Sequence, residues 1–87
     1  MAENETRTRR KKIDDKDLKR VMDRVAQNIC RLRRAKNLSQ QVLATSAGIA
    51  TTTLSDIERG QAHNLKLSTL VSLARQLDLK DITELLT

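Results

Sequence analysis

Short hydroxyl side chains, one carboxylate and one guanidinium share one face of a single stretch of the chain. The group consists of Thr51, Thr52, Ser55, Asp56 and Arg59. Leu54 and Ile57 lie between these residues at the i, i+3 spacing of a helix. This spacing would bury the apolar side of the helix and leave the polar side exposed. Hydroxyls donate and accept hydrogen bonds and carboxylates accept them, but a nucleophilic mechanism also needs an adjacent base, which this stretch lacks. The stretch is therefore suited to recognising a polar partner.

Two other side chains with reactive chemistry stand alone, because the sequence has one Cys and one His. Cys30 lies at helical spacing among apolar residues, and we interpret it as a small packing residue. His63 has no second His and no Cys or acidic cluster at ligand spacing. We expect no metal, no cofactor and no small-molecule ligand, and we expect that the chain is not an enzyme.

The chain is strongly basic. Its 87 residues carry a formal net charge of +6, and this favours a polyanionic partner. Nucleic acid and an anionic membrane surface both fit this charge. No apolar run is long enough to span a bilayer and the first residues are polar, so we expect a cytoplasmic protein without membrane association.

The elements that must position the polar stretch are predicted to be helices, because the sequence has no aromatic residue, no Pro and only two Gly. Residues 1–13 are polar and charged without apolar periodicity, so we expect them to form a basic, disordered arm. We expect residues 14–87 to form one domain. Apolar periodicity predicts a first helix over about 15–36, two short helices within 40–59, and two more around 67–77 and 82–86. Ala44 and Gly48 favour a steep crossing of the two short helices, since they provide a small contact and a tight turn.

On these residues the sequence resembles the Cro and phage-repressor helix-turn-helix (XRE) superfamily over about 29–86, with the helix-turn-helix at 40–59. The matching positions are Arg31, Leu32, Arg33, Asn37, Leu38, Ser39, Gln40, Leu43, Ala44, Gly48, Ile49, 54–60, Leu67, Leu70, Leu73, Ala74 and Leu77. The resemblance implies an all-α, five-helix, lambda-repressor-like DNA-binding domain. The sequence departs from the family at Ala50 and Lys66, where capping residues are usual, and we expect the helix cap at Ala50 to shift to Thr51.

The resemblance implies that the helix from Thr51 enters the major groove of double-stranded DNA. Hydroxyl and carboxylate groups can bond base edges, so the expected base-contacting residues are Thr51, Thr52, Ser55 and Asp56. The expected contacts to the DNA backbone come from Gln40, Gln41, Thr53, Arg59, Gln61, His63, Asn64 and Lys66. The resemblance also implies a structural ion pair between Arg33 and Glu58.

The partners expected for such a module are DNA and a second copy, because one small domain reaches only one half-site of a palindromic operator. The expected dimer residues are Leu79, Ile82, Leu85 and Leu86, and the first helix with Ile13 and Val21 is the alternative face. The sequence indicates a transcriptional regulator. Residues 64–70 resemble restriction-modification controller proteins; phage or plasmid repressors and antitoxins that repress their own operons are alternatives.

The sequence leaves several aspects of the function open. Autoregulation and a contact with RNA polymerase both fit, and activation is not distinguished from repression. A protein-interaction module that has the fold without DNA binding is a further alternative. It is supported by Asp56 and by the lack of Gln or Arg on the polar face, where the only Arg is Arg59 at the helix end. RNA binding is disfavoured because no aromatic side chain is available to stack on bases.

Overall fold

A computed structural model describes residues 15–62 and 64–87, and within these ranges the chain is all-helical. The helices are α1 (Asp15–Ala35), α2 (Gln40–Ala47), α3 (Thr51–Glu58), α4 (Leu67–Gln76) and α5 (Thr83–Leu86). The five-helix, all-α prediction is confirmed. The predicted arm at 1–13 and the position of His63 lie outside the described residues.

The long helix α1 forms because its apolar residues share one face. Met22, Val25 and Ile29 recur at the helical period and are buried, while the charged residues between them remain in solvent. Arg33 and Arg34 occupy the last turn, where positive charge is favourable. The helix ends before Asn37, which adopts a left-handed conformation with φ 56°, a conformation that Asn tolerates better than most residues.

One hydrophobic core joins all five helices. α1 packs against α3 and α5, and α2 packs against α3 and α4. The buried cluster is made only of aliphatic side chains, and it consists of Val25, Ile29, Leu43, Ala44, Ala47, Leu54, Ile57, Leu70, Leu73, Ala74, Leu77 and Leu85. This packing fixes the position of α3 relative to both α1 and α2.

The short C-terminal helix is held on α1, and this corrects one expectation. Leu85 has 0% of its surface exposed, and its carbonyl accepts a hydrogen bond of 2.8 Å from Asn28 Nδ2. Arg24 Nη1 donates to the Thr87 carbonyl at 3.1 Å. The assignment of Leu85 to a dimer surface was therefore wrong, because the residue fills the core of its own chain.

Candidate nucleic-acid interface

The first element of the site is the tight connection between α2 and α3. Ser39 caps α2 by accepting a hydrogen bond of 3.0 Å from the Val42 N–H, as N-cap serines do. Gly48 ends α2 at φ 77°, and the Ile49 N–H then donates to the Ala44 carbonyl at 2.9 Å. The left-handed glycine turns the chain within three residues and lets α3 start at a new angle.

Helix α3 presents its polar side to solvent. Leu54 and Ile57 bury its inner side in the core. Thr51, Thr52 and Thr53 are exposed, and Ser55 and Asp56 are half-buried. The predicted base-contacting residues thus lie together on one accessible side of an anchored helix.

The start of α3 differs from expectation. Ala50 occupies the N-cap position with extended backbone angles, φ −73° and ψ 147°, and contributes no side-chain cap. Thr51 is already helical, so the expected shift of the cap to Thr51 was wrong. The cap position is set by Ile49 and Leu54 packing on the core, and local capping chemistry does not move it.

Arg59, at the end of α3, holds three neighbouring polar side chains. Its Nη1 donates to Ser55 Oγ at 2.7 Å and its Nη2 donates to Asp56 Oδ1 at 2.5 Å. Its Nε donates to Gln61 Oε1 at 3.4 Å. The guanidinium therefore neutralises the carboxylate that would otherwise repel a polyanion on this surface.

A buried polar cluster ties α3 to α1 and α2. Arg33 Nε and Nη2 donate to the two carboxylate oxygens of Glu58 at 2.7 and 3.1 Å. The side chains of Arg33 and Glu58 are only 10% and 5% exposed. Arg33 Nη1 donates to the Leu38 carbonyl at 2.7 Å, and Gln40 Nε2 donates to Glu58 Oε1 at 2.9 Å. The structure thus brings Arg33 and Glu58 together and adds Gln40 to the pair.

The cluster keeps Glu58 ionised. Burial alone would raise the pKa of Glu58, but the hydrogen bonds from Arg33 and Gln40 outweigh that effect and lower the pKa below its ordinary value. The hydrogen bond to Glu58 raises the pKa of Arg33. Both groups are charged at neutral pH and act as a structural pair.

Several predicted backbone-contacting residues surround α3. Thr53, Asn64 and Lys66 line an open depression of about 340 Å³ beside the start of α3. Gln41, Gln61 and Lys66 are exposed and Gln40 is half-buried. Thr53, Asn64 and Lys66 thus lie together beside the start of α3, while Gln40 contacts Glu58 at its end.

Sequence reasoning missed two roles, and spacing could have suggested only the first of them. Arg59 follows Ser55 and Asp56 by four and three residues, which places all three on one helix face. Gln40 was expected only as a phosphate contact, yet its amide also holds Glu58. That second role depends on a contact between separate helices, for which the sequence gives no local signal.

Comparison with known proteins decides the family. A model of the helix-turn-helix family matches residues 31–85. The chain belongs to the XRE-type helix-turn-helix family. It is similar to the restriction-modification controller protein C.AhdI from Aeromonas hydrophila, whose crystal structure it matches with a TM-score of 0.68 at 36% sequence identity. The match covers 74% of this chain and 94% of that one. No curated protein matches in sequence.

The family assignment makes this helix-turn-helix protein a DNA-binding regulator, and α2 and α3 are its two motif helices. Among the described residues, no group of three or more His, Cys, Asp or Glu side chains could hold a metal ion. None of the helices within these ranges has the length and apolar character needed to cross a membrane.

Proposed function

We propose that the protein is a sequence-specific transcriptional regulator that binds a palindromic operator as a homodimer and has no catalytic activity. The observation that carries the proposal is the accessible polar side of α3, formed by Thr51, Thr52, Ser55 and Asp56 on a helix whose other side is fixed in the core. A helix fits the major groove, where hydroxyl groups bond base edges and threonine methyls contact thymine methyls.

The residues around α3 are proposed to contact the DNA backbone. Lys66, Asn64 and Thr53, which lie beside the start of α3, and Gln40 and Gln41 in the first turn of α2 would supply amide, hydroxyl and ammonium donors to phosphates. The first turn of α2 adds backbone N–H groups, which favour anions at a helix N-terminus. His63 stays in this proposal on its chemistry alone.

The second copy is proposed to pack on α4 and α5. A groove between α4 and the segment that leads into α5 is lined by Val71, Ala74, Arg75, Leu79, Lys80, Asp81 and Ile82. Val71 is 36% exposed and Leu86 is 39% exposed, so apolar surface remains around the groove after Leu85 has been buried. A two-fold symmetric pair would place two copies of α3 against the two halves of a palindrome.

The similarity to C.AhdI, a restriction-modification controller protein, supports the same role for this chain. Regulation of its own operon fits a small module whose activity depends on its concentration through dimerisation. Contact with RNA polymerase would depend on where the operator lies relative to the promoter.

The function is tested by selecting bound sequences from a random duplex pool with the full chain. Enrichment of an inverted repeat is expected, and absence of any enrichment would refute the proposal. Thr52→Ala should change the preferred base at one position of each half-site. Lys66→Ala should weaken all duplexes alike and reduce the salt dependence of binding by about one counterion. Equal effects of the two variants would contradict the assigned roles.

The dimer is tested by sedimentation of two matched variants. Val71→Glu places a charge at the groove beside α4, and Val21→Glu places one at the alternative face on α1, where Val21 is 49% exposed. Val71→Glu should shift the protein towards monomer while Val21→Glu leaves the dimer intact. The opposite result would move the interface to α1.

A further inference from the structure

The polar groups of Ser55 and Asp56 are held in a defined arrangement by Arg59. Ser55 Oγ accepts from Arg59 at 2.7 Å, and Asp56 Oδ1 accepts from the same guanidinium at 2.5 Å. Within residues 15–62 and 64–87, neither side chain makes any other hydrogen bond. The planar fork of an arginine can hold two acceptors at once, which a lysine ammonium does not do with fixed geometry.

The contacts with Arg59 determine which atoms of Ser55 and Asp56 remain available for hydrogen bonds with a partner. Ser55 uses its oxygen as an acceptor for Arg59, so its hydroxyl hydrogen is available to donate. Asp56 uses Oδ1 for Arg59, so Oδ2 is available to accept, and an ionised carboxylate has no hydrogen to donate. The exposed face therefore presents a donor at Ser55 and an acceptor at Asp56.

The major groove contains a base that matches the acceptor. Cytosine presents its N4 amino group as a donor, whereas the adenine amino group lies next to the N7 acceptor, which repels a carboxylate. Guanine and thymine offer acceptors at their major-groove edges and would be rejected by Asp56. A carboxylate held against Arg59 also keeps less net negative charge near the phosphates than a free one.

Resting on the proposed DNA-binding function, we propose that Arg59 is a specificity-determining positioning residue, which orders Ser55 and Asp56 so that Asp56 selects a cytosine in each half-site. This assigns Arg59 a role beyond the backbone contact expected from the sequence. The side chains of Arg59 and Asp56 are 56% and 51% exposed, so the pair can meet a base edge without rearranging the core.

The test is sequence selection from a random duplex pool with the wild-type chain, Asp56→Asn, Arg59→Gln and Arg59→Lys. The wild type should select cytosine at one position of each half-site. Asp56→Asn should select adenine there, because an asparagine amide bonds adenine N6 and N7 together. Arg59→Gln should flatten the preference at that position by about tenfold, and Arg59→Lys should not restore it, because it returns the charge without the fork.

A matched control lies on α1, where Arg20 and Asp17 form an exposed pair of the same i, i+3 spacing. Arg20→Gln and Asp17→Asn make the same charge changes away from α3 and should leave the selected sequence unchanged. Thermal melting of the α3 variants should also stay near that of the wild type, since exposed pairs contribute little stability.

The possible failures are distinct. If the wild-type chain enriches no sequence, the proposed function fails. If the wild type enriches an operator but Asp56→Asn and Arg59→Gln select the same operator, the function stands and this inference is overturned. A uniform loss of affinity in Arg59→Gln with an unchanged preferred base would also overturn it, because Arg59 would then be a phosphate contact.

Discussion

Replacing Arg33 with alanine should destabilise the domain far more than any change to an exposed arginine. The substitution removes both hydrogen bonds that Arg33 donates to Glu58 and the bond to the Leu38 carbonyl. Glu58, only 5% exposed, would lose the positive charge that compensates its own and keep only weaker neutral donors such as Gln40. Breaking a buried pair in this way costs about 3–5 kcal/mol.

This loss translates into a large thermal shift. For domains of this size, each kcal/mol changes the melting temperature by about 4–8 °C, so Arg33→Ala should lower it by about 12–40 °C. The total free energy of unfolding of a small domain is about 5–15 kcal/mol, so the variant would lose a substantial part of it. Thermal denaturation followed by circular dichroism measures the shift.

Two controls separate the buried pair from loss of a charge. Arg34→Ala removes the exposed neighbour of Arg33 and should change stability by less than about 0.5 kcal/mol. The double variant Arg33→Met with Glu58→Met leaves no unpaired charge in the interior. Its loss in free energy of unfolding should therefore be smaller than the sum of the losses in the two single variants. A melting temperature of Arg33→Ala within about 2–3 °C of the wild type would refute the reasoning.

Three further predictions concern the caps and the pH dependence of stability. Ala50→Ser should stabilise the fold by about 0.5–2 kcal/mol, because the N-cap backbone of α3 is already extended and lacks only a side-chain acceptor; urea denaturation that shows no gain would argue against this cap geometry. Ser39→Ala should cost about 1 kcal/mol in the same assay, since it removes the acceptor for the Val42 N–H, and an unchanged midpoint would contradict the cap. Because the pKa of Glu58 is lowered below 4.5 in the fold, its contribution is complete above its unfolded pKa and is lost as pH falls through the lowered value. Wild-type stability should therefore fall more steeply below about pH 4.5 than that of Glu58→Gln, and parallel profiles would exclude this linkage.

Much of the helical frame could be predicted because its signals are local. Apolar periodicity located α1 to within one residue at its end, and Asn37 and Gly48 marked turns that have positive φ in the structure. The exposed side of α3 followed from the spacing of Leu54 and Ile57. These features depend on neighbours within one or two helical turns.

The features that could not be predicted depend on contacts between distant parts of the chain. Leu85 looked like free apolar surface, but Asn28, 57 residues earlier, bonds its carbonyl and helps hold α5 on α1. Capping preference suggested a later start for α3, and packing of the helix on the core kept the cap at Ala50. The second role of Gln40 depends on how α2 crosses α3.

The central claim, that the polar side of α3 meets DNA, is tested most directly by titrating the isotopically labelled chain with its selected duplex and following backbone amide signals by NMR. The largest shifts should fall on Thr51, Thr52, Ser55 and Asp56, with smaller ones at Gln40 and Lys66. Shifts concentrated on α1 or α5, with the signals of α3 unchanged at saturation, would contradict the account.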